Sequence, residues 1–468
     1  MNRLISVCVV GLLACPVLAA VQPSATAQEQ SAISVVIPEL FHNDPRPVEF
    51  QGAADPTVVR SRTVRIDLEL LTSIKANGRF VFNLFEDATF TAVLGNTENR
   101  DTWIGSIEGK SAGTFTLVMN DGALSAIIRV PGKGLYRVRS LRDGVVVIQE
   151  IDETKFPPCA IGPAHGVLAG GSVAAGEDCD DGSVIDVLVV YTTLARSAAG
   201  GTAAIEAEID LAIANTNTAY SNSLIGTQLN LVHVQEIPYE EDGGYVDHLY
   251  RLTDPADGYM DNVHDLRDLY GADMVALLVA DGEYCGVAWL MQNLSPAFEQ
   301  YAFSVTTWTC AAGNLTFAHE LGHNQGCCHD RDNCSHGVFD YSYGYQDPVA
   351  RFRTVMAYNC PDGCPRIQHF SNPDVLYQGL PTGVPIDQPD SAHNALSLNQ
   401  TALTIANFRC HVGELGDLDG DGSVGVKDLL ILLGNWGPCG DCNDCPADLD
   451  RDCNVGVVDL LILLGNWG

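Results

Sequence analysis

Three histidines and a glutamate, closely spaced in the second half of this 468-residue chain, have the types and spacing of a catalytic metal site. The stretch from His319 to His329 reads His-Glu-Leu-Gly-His-Asn-Gln-Gly-Cys-Cys-His. Residues four apart on a helix share a face, so His319 and His323 can direct both imidazoles at one ion. Gly326 can adopt a positive φ and turn the chain back, which delivers His329 as a third ligand. Three protein ligands leave one coordination position open, and this predicts a catalytic zinc site rather than a structural one.

Glu320 follows the first histidine, one step around the predicted helix, where its carboxylate can reach a water at the metal without ligating the ion. Zinc lowers the pKa of such a water towards about 7 and polarises a carbonyl group. Glu320 is therefore the predicted general base, which takes the proton of the water and later passes it to the leaving amine. An isolated His-Glu-x-x-His is often accidental, whereas the third histidine at this offset makes the pattern specific.

This stretch resembles the metzincin zinc peptidases, and its final His-Asp pair is similar to their adamalysin/reprolysin branch. The resemblance covers roughly residues 184–410 and implies a Met-turn beneath the metal. Residues 354–358, Thr-Val-Met-Ala-Tyr, are the candidate for that turn, with Met356 as the soft apolar floor. Tyr358 matches a position where some metzincins place a tyrosine that contacts the metal or the oxyanion. Asp330 is expected to brace the turn rather than to bind metal.

The elements that must position this site alternate between strands and helices. Apolar runs predict strands over residues 184–191, 229–234, 274–279, 286–290 and 302–306. Helical periodicity predicts helices over 201–222 and 263–269, with Glu206 and Glu208 lying off the apolar face of the first. The resemblance implies that a strand just before the zinc helix forms the edge of the cleft, where an extended peptide pairs with it.

Residues 28–160 have the pattern of an antiparallel β-domain. Val64, Ile66, Leu68 and Leu70 alternate with charged residues, which predicts one strand across all four. Further strands are predicted over residues 79–82, 113–118, 125–130 and 145–148. The position of this domain ahead of a protease is similar to that of a reprolysin propeptide and implies a proenzyme. Sugar binding by this domain is an alternative that no residue in it supports directly.

Cys159 is a candidate latency switch. In many related zymogens a propeptide cysteine occupies the open zinc position, and a thiolate is a good zinc ligand. A Cys159–Cys179 disulfide is the alternative, of equal weight. Residues 161–183 are rich in glycine and alanine and are predicted to be an exposed linker. The linker contains no dibasic site, so activation would need autolysis or another protease.

The N terminus and the cysteine content predict a secreted, extracellular protein, with association to the cell surface as an extension of that prediction. Residues 1–27 combine a basic start, an apolar run and Ala-Thr-Ala before Gln28, which is typical of a signal peptide. A lipoprotein signal ending at Cys15 is the alternative. Fourteen cysteines follow residue 27 in three even groups, each of which can close its disulfides internally. No later segment reaches the roughly 20 apolar residues of a membrane span.

The chain is strongly acidic, with 59 acidic against 25 basic residues and a formal net charge of −34. No basic patch exists, and this excludes nucleic acid as an expected partner. The acidity suits solubility and the binding of calcium.

A duplicated segment near the end of the chain predicts two calcium sites. The decapeptide Asp-Leu-Leu-Ile-Leu-Leu-Gly-Asn-Trp-Gly recurs 31 residues later, and each copy follows an acidic loop with EF-hand spacing. The predicted calcium ligands are Asp417, Asp419, Asp421, Ser423 and Asp428 in the first loop, and Asp448, Asp450, Asp452, Asn454 and Asp459 in the second. Position 6 is Gly422 in the first loop but Cys453 in the second, which could strain the second site.

Loop followed by helix, duplicated over residues 415–468, resembles a type I dockerin module. That resemblance implies a small all-α module and a cohesin-like docking partner, and a purely structural cap is the alternative. The expected architecture is multidomain: a β-rich N-terminal prodomain (28–160), a linker (161–183), an α/β metzincin catalytic domain (184–410) and the dockerin-like tail.

Two functions remain open. The first is a secreted zinc endopeptidase that is made as a proenzyme, acts on proteins and peptides, and is docked through its calcium-binding tail. The second is a non-catalytic, calcium-dependent binding or adhesion protein on a protease scaffold. That second function predicts a broken ligand set or a missing glutamate, whereas here all four residues are present, so the enzyme is favoured.

Overall fold

The computed structural model describes residues 37–44, 55–95, 101–109, 113–141, 145–160, 179–349, 351–410, 415–419, 423–440, 445–450 and 452–467. The predicted signal peptide, the lipoprotein alternative and most of the predicted linker lie outside the described residues, as do Asp421 and Gly422. None of the helices in the described ranges is long and apolar enough to cross a membrane.

The N-terminal region forms a nine-stranded antiparallel sheet with the order β1-β2-β9-β8-β7-β6-β5-β4-β3. Its strands are β1 (Phe41–Asn43), β2 (Val58–Ile66), β3 (Arg79–Phe85), β4 (Ala88–Leu94), β5 (Thr102–Ile107), β6 (Gly113–Asn120), β7 (Ala123–Val130), β8 (Gly134–Ser140) and β9 (Val146–Ile151). From β3 to β9 each strand pairs with the next one along the chain, as short turns between alternating apolar segments require. The prediction of a β-rich N-terminal region is confirmed.

The predicted strand across residues 64–70 is wrong in its second half. Strand β2 ends at Ile66, and helix α1 (Leu68–Ser73) follows at once. The side chain of Asp67 accepts a hydrogen bond from the backbone N–H of Leu70 at 2.8 Å and caps the helix. The apolar alternation continued past this cap, but only Leu71 of the helix is buried.

The central part of the chain is an α/β layer structure around a five-stranded sheet with the order β11-β10-β12-β14-β13. The strands are β10 (Val184–Thr192), β11 (Gln228–Ile237), β12 (Met274–Val279), β13 (Gly286–Ala288) and β14 (Phe303–Thr307). Four strands run parallel, and β13 pairs antiparallel with β14 at the edge of the sheet. The helices are α2 (Thr193–Ala199), α3 (Thr202–Asn222), α4 (Tyr245–Thr253), α5 (Asn262–Leu269), α6 (Trp308–Ala311), α7 (Thr316–Asn324) and α8 (Asn394–Ile405), and a short hairpin of β15 (Leu376–Tyr377) and β16 (Leu380–Pro381) precedes α8.

Helix α3 differs from its prediction on one face, because the N-terminal sheet packs against it. Glu208 was expected off the buried face but is itself buried, and its Oε2 accepts a hydrogen bond from Ser125 Oγ of β7 at 2.7 Å. Asp210 likewise accepts from Asn120 Nδ2 of β6 at 2.7 Å. Burial raises the pKa of both carboxyl groups. The acidic face of α3 is therefore an interface with the N-terminal sheet rather than a solvent face.

The disulfides correct the expectation that each cysteine group closes on itself. The observed pairs are Cys179–Cys410, Cys285–Cys310, Cys328–Cys334, Cys360–Cys364 and Cys439–Cys445, and Cys453 is also disulfide-bonded. Cys179 therefore joins the two ends of the α/β part, and the alternative Cys159–Cys179 bond is wrong. Among the described cysteines, Cys159 and Cys327 are free and buried. This density of disulfides is typical of proteins outside the cytosol.

The tail contains helices α9 (Val426–Gly434) and α10 (Val457–Gly465), which pack on each other. Two short strands, β17 (Gly437–Pro438) and β18 (Asn454–Val455), pair antiparallel between them. A small core supports this arrangement, formed by Val424, Leu432, Ala447, Leu449, Val455 and Leu463.

Candidate metal centre and active site

Helix α7 carries the first two histidines and the glutamate, and every residue of it is buried. The helix continues through Gly322, although glycine is a weak helix former. A Cβ atom at Gly322 would lie 2.6 Å from the sulfur of Met356. Gly322 is therefore tolerated inside the helix because its bare backbone makes room for the methionine beneath it. At the end of the helix Gly326 has φ +91°, as the predicted sharp turn requires.

The three histidines converge through their Nε2 atoms. His329 Nε2 lies 3.1 Å from that of His319 and 3.0 Å from that of His323. His319 Nδ1 lies 2.8 Å from the carbonyl oxygen of Val355, and His323 Nδ1 lies 2.8 Å from that of Cys327. A carbonyl oxygen can only accept, so both Nδ1 atoms carry the proton and both Nε2 lone pairs face the shared point.

The electrostatics of this point suit neutral imidazole ligands. Burial lowers the pKa of all three histidines, that of His323 to about 4. Neutral nitrogens held by backbone acceptors are the donor set that zinc prefers. The residues present therefore fit a zinc ion.

Glu320 is buried beside this point, and neither of its carboxylate oxygens has a hydrogen-bond partner among the described nitrogen and oxygen groups. A Cβ atom at Gly286 would lie 2.3 Å from Glu320 Oε1, so the carboxylate presses against strand β13. Burial raises the pKa of Glu320 to about 8, and the thiol of Cys159 and the charge of Arg366 oppose that rise. An unsatisfied carboxylate in this position is suited to accept a proton from a bound water.

The segment around Met356 supports the histidines from below. Met356 is fully buried against Gly322 of the zinc helix. Asp330 braces this segment as expected, because its Oδ2 accepts a hydrogen bond from the backbone N–H of Tyr358 at 2.9 Å. The ring of Tyr358 packs on that of His329, with centroids 4.1 Å apart. The third histidine and the Met-turn candidate thus hold each other in place.

Residues 158–160 of the N-terminal region lie along the edge strand of the site. Ala160 N donates to the carbonyl oxygen of Gly286 at 2.8 Å, and Cys285 N donates to that of Pro158 at 2.9 Å. The thiol of Cys159 is buried within 4.8 Å of ligand atoms of His319 and Glu320. Burial, and then the charge of Glu320, raise the pKa of this thiol well above its ordinary value.

The hydroxyl of Tyr358 donates to the carbonyl oxygen of Cys159 at 3.4 Å. Burial, followed by the charges of Cys159 and Glu320, raises the pKa of Tyr358. Tyr358 is therefore a neutral hydrogen-bond donor that faces the position of a peptide carbonyl group.

Arg366 is a residue of the site that the sequence did not single out. It is 3% exposed, and its Nη1 donates to the carbonyl oxygen of Asn314 at 2.7 Å. Its charge acts on both Cys159 and Glu320. No periodicity or motif surrounds it in the sequence, because it lies in an irregular segment that reaches the site only through the tertiary fold.

The two acidic loops of the tail are built alike. Carboxylate oxygens of Asp417, Asp419 and Asp428 lie within 4.8 Å of one another, as do those of Asp448, Asp450 and Asp459. Asp428 Oδ1 accepts from the backbone of Leu418 and Asp419, and Asp459 Oδ1 accepts from that of Leu449 and Asp450.

The remaining predicted ligands lie in the same loops. Ser423 stands in the first loop just before α9, and Asn454 N donates to Asp452 Oδ1 in the second at 2.8 Å. Cys453 has φ +68°, the left-handed backbone for which Gly422 is suited at the matching place of the first loop.

Comparison with known proteins shows which proteins this chain is similar to. The model of metallo-peptidase family M12, of the reprolysin type, matches residues 181–371. A peptidyl-Asp metalloendopeptidase of Xanthomonas campestris pv. campestris is 32% identical over 383 residues, which are 76% of this chain and 87% of that protein. A protein of the same name from Stenotrophomonas maltophilia is 36% identical over 303 residues, 63% of this chain and 70% of that protein. A third, from Pseudomonas fragi, is 29% identical over 195 residues, 42% of this chain and 99% of that protein.

Proposed function

This chain belongs to metallo-peptidase family M12 and is a metalloendopeptidase, and from that premise we propose that His319, His323 and His329 hold its zinc and that Glu320 is its general base. One observation carries the proposal. His329 Nε2 lies 3.1 Å from the Nε2 atom of His319 and 3.0 Å from that of His323, and next to them stands a buried carboxylate without a nitrogen or oxygen partner among the described residues.

The residues of the chain divide the reaction between them. A bound zinc ion supplies Lewis-acid chemistry, lowering the pKa of a water and polarising a carbonyl group. Glu320 accepts the proton of the attacking water and returns it to the amine that leaves. The hydroxyl of Tyr358 donates a hydrogen bond to the oxygen of the reacting carbonyl group, where negative charge develops. Strand β13 pairs with the backbone of an extended substrate, which aligns the scissile bond with Glu320.

The proposal includes a proenzyme that is held inactive by residues 158–160. These residues already use the backbone groups of Cys285 and Gly286 that a substrate would need. The thiol of Cys159 lies beside His319 and Glu320, where it excludes water and can ligate the metal. Cleavage after this segment, within residues 161–183, would release the N-terminal sheet and open the cleft.

The names of the relatives support a preference for aspartyl residues. The relatives from Xanthomonas campestris, Stenotrophomonas maltophilia and Pseudomonas fragi are all named peptidyl-Asp metalloendopeptidase. We therefore extend the proposal to cleavage of protein and peptide chains at a bond next to aspartate.

The tail is proposed to bind two calcium ions and to dock the enzyme to a cohesin-like partner. Support comes from the matched acidic loops and from apolar side chains that α9 and α10 expose in the same register. Leu430 and Leu461 are 64% and 62% exposed, the pair Val426/Val457 repeats this match, and Trp436 and Trp467, each two residues beyond its helix, are exposed as well. Calorimetric titration with calcium should give two ions per chain, and a stoichiometry of zero would contradict this part of the proposal.

Glu320→Ala tests the catalytic proposal. The purified, processed enzyme is offered an unstructured protein, with and without a zinc chelator, beside Glu320→Ala and the exposed control Glu283→Ala. Loss of the general base should lower kcat by about 10³-fold while zinc content stays unchanged. The chelated enzyme should be inactive, and Glu283→Ala should match the wild type.

Full activity of Glu320→Ala would refute the role of Glu320 as general base. No cleavage by zinc-loaded wild type would favour the non-catalytic binding protein.

A further inference from the structure

Arg366 is a buried cation that forms no hydrogen bond or ion pair with a carboxylate among the described residues. Its hydrogen bonds among the described residues go to the carbonyl oxygens of Asn314 and Ala357, at 2.7 and 3.5 Å, and to the thiol of Cys159. Its Nε atom has no partner at all. The guanidinium edge formed by Nε and Nη2 is thus nearly unused, although burial of a charge is costly unless it is paired.

The neighbouring charges increase the demand for an anion. Arg353 is also buried, and within the described part of the chain its guanidinium donates to two backbone carbonyl oxygens, those of Cys364 and Ala357. Arg129 of strand β7 adds a third positive charge, which Glu153 opposes. Arg129 and Glu153 belong to the N-terminal region, together with Cys159. If that region leaves on activation, Arg353 and Arg366 remain beside the site without these partners.

A cavity lies beside Arg366. Arg366 lines a cavity of about 350 Å³ between the N-terminal sheet and the α/β part. One wall consists of Pro365, Arg366, Ile367, Gln368, His369 and Tyr377, and the other of residues around Arg129 and Glu153. Loss of the N-terminal region would remove the second wall and open this cavity to solvent beside Arg366.

We propose that Arg366 is the specificity-determining residue of the enzyme, and that its Nε–Nη2 edge binds the side-chain carboxylate of an aspartyl residue next to the scissile bond. The inference rests on the proposed function, which it deepens by naming the group that selects the substrate. A planar guanidinium offers two parallel N–H donors that match the two oxygens of a carboxylate, and asparagine in place of aspartate loses both the charge and one acceptor. In the full chain the same guanidinium forms a hydrogen bond with the thiol of Cys159. The group that recognises the substrate therefore also helps to hold the N-terminal segment in place.

A matched pair of peptides tests this inference. The enzyme is expressed as the full chain, processed, and offered two peptides that differ only in Asp against Asn at one position. Wild type should prefer the Asp peptide by about 100-fold in kcat/KM, because a site built for a polar group rejects an analogue that leaves it unpaired. Arg366→Gln should bring the Asp/Asn ratio close to one. Arg351→Gln, an exposed arginine that pairs with Asp347, should keep the wild-type ratio.

The ratio distinguishes specificity from structural damage, since a distorted site lowers both rates together. If Arg366→Gln fails to fold, Arg366→Lys replaces it, because lysine keeps the positive charge but lacks the two parallel N–H donors of the guanidinium. This variant should retain zinc while its Asp/Asn ratio falls at least tenfold. An unchanged ratio in a folded Arg366 variant would overturn the inference and leave the proposed function standing. Wild type that cleaves both peptides equally would overturn both the inference and the proposed aspartyl preference, while the proposed roles of zinc and Glu320 would stand. If wild type cleaves neither these peptides nor an unstructured protein, the proposed function falls, and this inference with it.

Discussion

Cys159 lies where two states of the enzyme would differ. Its thiol faces His319 and Glu320 from the N-terminal region, and its backbone neighbours pair with the edge strand. Two interactions therefore hold the same segment, one through the side chain and one through the backbone. Removal of the side chain alone should weaken the block without abolishing it.

Cys159→Ala should activate the full chain before processing. We expect unprocessed Cys159→Ala to cleave a fluorogenic peptide at least about tenfold faster than unprocessed wild type, because the thiol no longer fills the open metal position. Cys327→Ala is the matched control, since Cys327 is the other free, buried cysteine among those described. Unchanged secretion, processing and latency in Cys159→Ala would contradict the switch.

Asp273 should make the stability of the enzyme depend on pH. Asp273 is buried next to β12, and burial raises its pKa to about 8. The hydrogen bonds that its carboxylate accepts from the backbone N–H groups of Asp186 and Arg409 lower the pKa and so oppose this rise. The folded state therefore holds a proton that the unfolded state releases near pH 4. The free energy of unfolding should fall as pH rises from about 4 to about 8, by at most about 1.4 kcal/mol per unit from this group.

Urea unfolding at pH 5 and pH 8 measures this dependence. Asp273→Asn should flatten the difference between the two pH values, because the amide cannot ionise. Equal pH dependence in the wild type and in Asp273→Asn would rule out Asp273 as its source.

At the scale of elements, the short edge strand β13 connects recognition to catalysis. Its first residue, Gly286, lies against the carboxylate of Glu320, and its carbonyl oxygen accepts from Ala160. A side chain at this position cannot coexist with the observed place of Glu320. The absence of a side chain at Gly286 leaves the room that the Glu320 carboxylate occupies.

Gly286→Ala should impair catalysis more than folding. The added methyl group would displace the Glu320 carboxylate, and a misplacement of about 1 Å costs about 100-fold in rate. We expect that loss in kcat/KM, with zinc content and melting temperature close to those of the wild type. Gly282→Ala is the control, since its Cβ would meet nothing within 4 Å. Equal activity of the two variants would show that Glu320 is not held against the strand.

Most elements of the α/β part could be predicted from the sequence, because each is long and uniform enough to show its own periodicity. Strands β10, β11, β12 and β14 and helix α3 agree with their predicted ranges within a few residues. The errors fall where a contact overrides a local pattern. Asp67 caps a helix inside an apparent strand, and contact with Ser125 of the N-terminal sheet buries Glu208 of α3.

At the scale of the whole molecule, the Cys179–Cys410 disulfide closes the α/β part across a sequence separation of 231 residues. Replacement of both cysteines by alanine should lower the free energy of unfolding by up to about 5 kcal/mol, because a long closed loop restricts the unfolded chain most. The Cys360–Cys364 bond spans 4 residues, and its removal should cost about 2 kcal/mol. Denaturant titration compares the two double variants. A larger loss from the short loop would contradict this loop-length argument.

The metal centre could be predicted from the sequence, because its three histidines and its glutamate lie within eleven residues. Helical geometry alone brings His319 and His323 to one face. The two acidic loops of the tail could be predicted for the same reason, because the spacing of their aspartates falls within a short loop and recurs in the repeat. The partners of the site are not local. Cys159, Gly286 and Arg366 come from three distant segments, and no local pattern in the sequence indicates that they meet. Only the tertiary fold brings them together, and burial where they meet raises the pKa of Glu320 and of the Cys159 thiol.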